Sequence, residues 1–253
     1  MRLHLIFALT FFMISCNNCN TQSSDNDALD TIAPVVYEVS KDILLGKFLP
    51  STDSNYVVIP EDMSTHKDAY CHREAFEAYL AMRDSALKEG ITLTIVSATR
   101  TFDRQREIWE RKWNGQLTTG NRQQANDTTL DISKIRSIMR YSSMPGTSRH
   151  HWGTELDFVS VETEYWIEGE GLRIYNWLCA NAHKFGFFQP YTADPTRTGY
   201  AEERWHWSYR PLSELYLKAY EQTITPADIT GFSGSYLVDS LGIIQSHVLG
   251  VAR

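Results

Sequence analysis

Residues 148–158 read SRHHWGTELDF, and this stretch decides how the rest of the chain is read. Two imidazoles, His150 and His151, stand side by side ahead of Gly153, and two carboxylates, Glu155 and Asp157, follow among apolar residues. Borderline cations such as zinc take imidazole nitrogen and carboxylate oxygen, and a catalytic site keeps one position open beside three protein ligands. His150 or His151 can supply one ligand and Asp157 a second. The run TELDFVSV, 154–161, alternates and predicts a strand. On a straight strand the odd offset from His150 to Asp157 would point the two to opposite faces. Gly153 removes that objection, because it permits a turn between a loop histidine and a strand aspartate. The third ligand must come from a distant segment. EERWHWSYR, 202–210, supplies His206 on a second short strand, 204–210, between Trp205 and Trp207. Glu203, three residues earlier, is close enough in sequence to reach the water that such a site activates.

Working outward, YVVIP (56–60) reads as a short strand or extended entry segment. REAFEAYLAMRDSALKEG (73–90) is a helix with an apolar stripe of Ala75, Phe76, Tyr79, Leu80, Met82 and Leu87, stopped by Gly90. ITLTIVSAT (91–99) alternates and is rich in β-branched residues, which predicts a strand. Helices are predicted over 102–113, 131–142, 170–187 and 212–223; the charges of FDRQREIWERK fit a solvated helix face, and the polar run 114–130 reads as a surface excursion. Helices and short, non-adjacent strands joined by long connections predict an α+β fold around a small antiparallel sheet flanked by helices. The lack of regular βα alternation argues against a doubly wound sheet.

The chain has 253 residues, a formal charge of -7 and 12% aromatics. That length suits one large domain, and the negative balance gives no basic surface for gripping nucleic acid. The N-terminus, MRLHLIFALTFFMISC, has one Arg, an apolar run too short to span a bilayer comfortably, then Ser15 and Cys16. It predicts a signal peptide over 1–15, with Cys16 resembling the lipidated cysteine of a bacterial lipoprotein, although Met13 departs from the usual Leu. NNCNTQSSDNDALDT follows as a flexible tether within 16–33, leaving 34–253 as a single folded domain. The implied location is the bacterial cell envelope, lipid-anchored to a membrane and facing the periplasm. Of four cysteines, Cys19 falls in the tether, and Cys71 and Cys179 either pair in an oxidising compartment or stay as two buried thiols.

The residues also carry a resemblance. SRHHWGTELD resembles the S-x-H-x-x-G-x-A-x-D motif of the zinc D-alanyl-D-alanine carboxypeptidases of the VanY type, in the Hedgehog/DD-peptidase superfamily. ERWH, 203–206, resembles their E-x-W-H motif, and SATRTFDRQ, 97–105, is similar to their S-G-x-R-S segment with its later Gln. The three occur in the family's order, over about residues 90 to 210. The resemblance implies a fold of that superfamily and a Zn2+ cofactor. It implies His150, Asp157 and His206 as metal ligands, Glu203 as general base, and Arg100 as the residue that binds substrate and steadies developing negative charge. It selects His150 over His151, which becomes a packed or rim residue, and it transfers substrate contact to Ser148 and, more weakly, Gln105. Glu155 stands where the family has a small Ala; an extra carboxylate there could bind a second group, shift Glu203 or ion-pair with an arginine. Trp152, Trp205 and Trp207 are candidates for the pocket wall.

These readings imply a monomeric carboxypeptidase that removes the C-terminal D-alanine from peptidoglycan stem peptides. Two other readings compete: an L,D-carboxypeptidase or endopeptidase on the same scaffold, and a wall-binding module that keeps the metal without turnover. The sequence contains no H-E-x-x-H, no phosphate-cradling glycine loop and no G-x-S-x-G elbow.

Overall fold

A four-stranded antiparallel sheet carries the quoted segment. The computed structural model of the chain describes residues 39–117 and 131–252. Its elements in chain order are α1 (Lys41–Leu45), β1 (Tyr56–Val58), β2 (Tyr70–His72), α2 (Arg73–Lys88), β3 (Ile95–Ser97), α3 (Phe102–Trp113), α4 (Asp131–Ile138), β4 (Glu155–Phe158), α5 (Gly169–Asn181), β5 (Phe187–Phe188), β6 (His206–Tyr209) and α6 (Arg210–Thr223). The large sheet has the order β3-β4-β6-β5, and β1 and β2 form a separate antiparallel pair. The α+β class with a small antiparallel sheet is as the sequence predicts.

β4 has period-2 alternation, yet all four of its residues are buried. Leu156 and Phe158, with Trp207 of β6, join a cluster that includes Tyr79 and Met82 of α2 and Trp177 and Leu178 of α5. Glu155 and Asp157 point to the other face. A second cluster gathers Leu44 of α1, Trp109 of α3, Ile135 of α4, Trp152, and Tyr216 and Tyr220 of α6. The strand is therefore covered on both sides, and its polar face is an interior one.

Register fixes what meets on that face. Asp157 pairs with His206 and Glu155 with Ser208 across β4 and β6, while Ser97 of β3 stands beside Asp157. The strand stops at Phe158 because Val159 takes a positive φ of 61°. β3 is shorter than the predicted 91–99. Ile95 turns part of its bonding to the 63–65 segment, donating to the Met63 carbonyl and accepting from Thr65. The helix predicted over 131–142 ends at Ile138, and α5 ends at Asn181, giving way to a 3-10 turn, Ala182–Phe185, before Gly186. α3 occupies its predicted span and buries Phe102, Gln105 and Trp109 while exposing Asp103, Arg106 and Glu107.

Cys71 is buried and Cys179 exposed, and neither forms a disulfide. The expected signal peptide, tether and Cys16, and residues 118–130 of the expected surface excursion, lie outside the described residues. Among the described residues no helix is long and apolar enough to cross a membrane.

Gly153 is the joint between the site's two halves. It has φ of 72° and caps a 3-10 turn, Arg149–Trp152, that leads into β4. A Cβ here would lie 2.4 Å from the Tyr56 ring and 3.0 Å from the His72 nitrogen. Its carbonyl accepts the His72 N–H at 2.9 Å. Gly153→Ala combines a left-handed conformation with overpacking, so we expect a loss of about 3 kcal/mol in stability, measured by urea denaturation. A loss under about 0.5 kcal/mol, within the range of an ordinary surface change, would contradict this role for the glycine.

Candidate metal centre

His150 sits in the 3-10 turn, Asp157 in β4 and His206 opposite it in β6. One ligand atom from each lies within 4.8 Å of the others, and all three residues are buried. His150 Nε2 is 3.3 Å from Asp157 Oδ2, and His206 Nδ1 is 3.0 Å from Asp157 Oδ1. The second nitrogen of each ring is already engaged: His150 Nδ1 lies 2.8 Å from the Ala98 carbonyl, and His206 Nε2 lies 2.7 Å from Glu155 Oε2. The free nitrogens thus converge on one carboxylate.

The donor set fits a borderline divalent cation. Two imidazole nitrogens and one carboxylate oxygen match the ligand chemistry of catalytic zinc. Asp157 Oδ1 is buried and makes no hydrogen bond despite its closeness to His206, an orphaned acceptor where a cation would sit. The electrostatics agree with a site held for positive charge. Burial alone would raise the Asp157 carboxyl, but His150 and His206 hold it far below the usual carboxylate range. Burial and the nearby Arg100 lower His150 to about 4, so its imidazole is neutral. Burial would also lower His206, but the Asp157 and Glu155 carboxylates raise it to about 9.

Glu203 Oε2 lies 3.7 Å from His206 Nδ1. Burial pushes the Glu203 carboxyl up to about 7; His206, Arg100 and Lys112 oppose the rise and Asp157 adds to it. Asp157 and Glu203 both line a cleft of about 670 Å³, together with Arg100, Lys112, Tyr141 and Trp205. Arg100 Nη2 lies 3.9 Å from Asp157 Oδ2, Nη1 donates to Gln105 Oε1 at 2.9 Å, and the buried Nε makes no hydrogen bond.

The other candidates from the sequence fall in different places. Gln105 is fully buried and bonded at both ends, to Arg100 and, through Nε2, to the Ser143 carbonyl. Any effect it has on a ligand runs through Arg100. Ser148 is buried, and its hydroxyl makes no hydrogen bond. His151 is packed: Nδ1 donates to the Arg100 carbonyl at 2.6 Å and Nε2 accepts the Gly146 N–H at 3.1 Å. It ties the Arg100 segment to the turn before the metal cluster. Of the three tryptophans, Trp205 lines the cleft, while Trp152 and Trp207 lie in the two apolar clusters.

Four residues around the site were not singled out from the sequence. Lys112, eight residues after Arg104 on α3, reaches the cleft and donates to Ser142 Oγ at 2.6 Å. His66 and Asp68 reach it from the segment before β2. Tyr191 packs on the His206 ring with centroids 4.7 Å apart. The sequence reading placed Lys112 on a solvated helix face, and nothing local pointed to the other three.

Glu155 is fully buried and does not face the metal cluster with a free oxygen. Its Oε1 lies 3.0 Å from Arg149 Nη2 and accepts hydroxyls from Ser208 at 2.7 Å and Thr154 at 3.1 Å; its Oε2 meets His206. Burial would raise its carboxyl, yet Arg149, His206 and Ser208 lower it to about 2. Of the three fates open to this carboxylate in the sequence, pairing with an arginine is the one the structure displays.

The chain is similar to known proteins. A family model described as VanY, D-alanyl-D-alanine carboxypeptidase, matches residues 68–212, more than half the chain. The D-alanyl-D-alanine carboxypeptidase of Enterococcus faecalis is 30% identical over 140 residues, covering 55% of this chain and 47% of that protein. YodJ of Bacillus subtilis is 28% identical over 194 residues, covering 72% of this chain and 63% of that protein. The chain thus matches less than two thirds of the length of either relative. The solved structure of VanYB in complex with D-Alanine-D-Alanine aligns at a TM-score of 0.48 and 24% identity, over 68% of this chain and 85% of that one.

Removing one member of a buried ion pair strands the other. Glu155→Ala should therefore cost about 3–5 kcal/mol in stability, read from guanidinium denaturation. A cost below about 1 kcal/mol would show that Arg149 finds another partner or water.

Proposed function

The chain belongs to the VanY family of D-alanyl-D-alanine carboxypeptidases, and from that premise we propose that it is a zinc-dependent carboxypeptidase acting on the D-alanine end of peptidoglycan stem peptides. The observation that carries this reading is the meeting of His150, Asp157 and His206 beside the buried Glu203, on a cleft that Arg100 also lines.

The division of labour follows from the positions. His150 Nε2, an Asp157 oxygen and His206 Nδ1 would hold the cation, which would supply Lewis acidity to the scissile carbonyl and acidity to a water. Glu203 lines the cleft beside Asp157 and is not itself a ligand. It takes the proton from that water and passes it to the leaving amine. Its burial keeps the carboxylate from being solvated into a weaker base, and positive charge on the cluster pulls its raised value back toward the ionised form. Arg100 presents a planar guanidinium with an unspent Nε–H. A peptide's terminal carboxylate, or a carbonyl oxygen gaining charge, matches that fork. Gln105 fixes one arm of the fork and so limits which way the other points.

The reading extends to the N-terminus. Export through residues 1–15 and lipidation at Cys16 would put the catalytic domain on the side of the membrane where stem peptides lie.

The test is incubation of the zinc-loaded protein with muropeptides that end in D-Ala-D-Ala or in a single D-Ala, with mass spectrometry of the products. Release of one terminal alanine from the pentapeptide, abolished by a chelator, is the expected result. Loss of alanine from the tetrapeptide alone would favour the L,D-reading, and no cleavage of any stem peptide would favour the wall-binding module. Glu203→Ala should bind zinc as the wild type does and lose about 10²–10⁴-fold in kcat. A Glu203→Ala protein that keeps its turnover would remove Glu203 as the base.

A further inference from the structure

His206 differs from His150 in what holds the back of its ring. His150 leans on a backbone carbonyl, that of Ala98. His206 leans on the Glu155 carboxylate, which is 0% exposed. We infer that Glu155, braced by Arg149, is a positioning residue for His206, holding the proton on Nε2 so that Nδ1 faces the cation. The inference rests on the reading of His150, Asp157 and His206 as metal ligands.

Three observations carry it. The first is register. Glu155 and Asp157 share one face of β4, and His206 of β6 stands directly opposite Asp157. Its ring therefore lies between two carboxylates, with Nε2 2.7 Å from Glu155 Oε2 and Nδ1 3.0 Å from Asp157 Oδ1. Only one orientation of the ring serves both. The second is saturation. Glu155 Oε1 already takes Arg149 Nη2 and the hydroxyls of Ser208 and Thr154, while Oε2 is given to His206. Both oxygens of this carboxylate are engaged, and Oε2 faces the cation side only through the His206 ring, so it acts on the metal through the histidine. A carboxylate behind a ligating imidazole fixes the tautomer and strengthens the ring as a donor.

The third is that stability does not account for the pair. Arg149 is 1% exposed, and its Nε and Nη1 are buried without a hydrogen-bond partner. A buried ion pair with unspent N–H groups is no better for folding than well-packed apolar residues of similar volume. What apolar replacements cannot do is hold His206.

The single substitution leaves Arg149 stranded, so the informative variant is Arg149→Met with Glu155→Ala, which removes both buried charges together. Zinc dissociation constants of wild type and double variant are measured by competition with a chromophoric chelator, and folding by circular dichroism melts. We expect the double variant to fold and to bind zinc about 10–100-fold more weakly than the wild type. Equal affinity in a folded double variant would overturn the inference and leave the metal site standing. A wild type that binds no zinc would take both down. A second measurement does not depend on the variant's folding: long-range 1H–15N correlation on the zinc-loaded wild type should show His206 protonated at Nε2 and bare at Nδ1. A proton on Nδ1, or an Nε2 that carries none, would overturn the assignment.

Discussion

The structure turns on one cross-strand pair. Asp157 and His206 face each other at the middle of an antiparallel sheet, both buried, on a strand whose four residues are all buried. A carboxylate in such a place is costly unless something positive or hydrogen-bonding meets it. The antiparallel ladder meets that need by placing an imidazole directly opposite, and Gly153 brings a second imidazole in from the preceding turn. Because strand alternation has period two, a slip of one residue would send Asp157 into the apolar cluster and Leu156 into the site. The packing of Leu156 and Phe158 against α2 and α5 therefore also aims the two carboxylates.

Around that pair the site is built in opposite directions. Toward the cleft stand Asp157, Glu203 and Arg100, groups that a ligand in the cleft can reach. Away from it stand Glu155, Arg149, Ser208 and Ser213, all fully or almost fully buried. Ser208 lies within hydrogen-bond distance of Glu155, Arg149 and Ser213 at once. Arg100 is set by its own buttress, with Gln105 on one arm and its backbone N–H bonded to the His150 carbonyl at 3.0 Å. The metal cluster and the cleft arginine are thus parts of one hydrogen-bonded unit, reinforced by His151 between Arg100 and Gly146.

Much of this was legible in the chain itself. The stop at Gly90 and the amphipathic span 102–113 are strong local signals, and those helices stand where the signals put them, whereas the strand predicted over 154–161 keeps only Glu155–Phe158. The spacing of histidine, glycine and aspartate pointed to a turn followed by a strand but left His150 and His151 both open; the resemblance to the VanY type selected His150 and supplied the roles expected of Arg100 and Glu203. What was not legible depends on distant partners. β2 and β5 are three and two residues long and exist only because β1 and β6 pair with them. The role of Glu155 needed the register that sets Ser208 opposite it and the turn that brings Arg149 alongside. Trp152 looked like a pocket wall beside two histidines, but the same turn that presents His150 sends Trp152 inward against Tyr216 and Tyr220.

The central claim is that two imidazoles and one carboxylate share a single cation. X-ray absorption at the zinc edge of the metal-loaded protein addresses it most directly. The account predicts a four-coordinate shell of nitrogen and oxygen at about 2.0–2.2 Å, with the multiple-scattering signature of two imidazoles and no sulfur at about 2.3 Å. A shell containing sulfur, or one with fewer than two imidazoles, would contradict it.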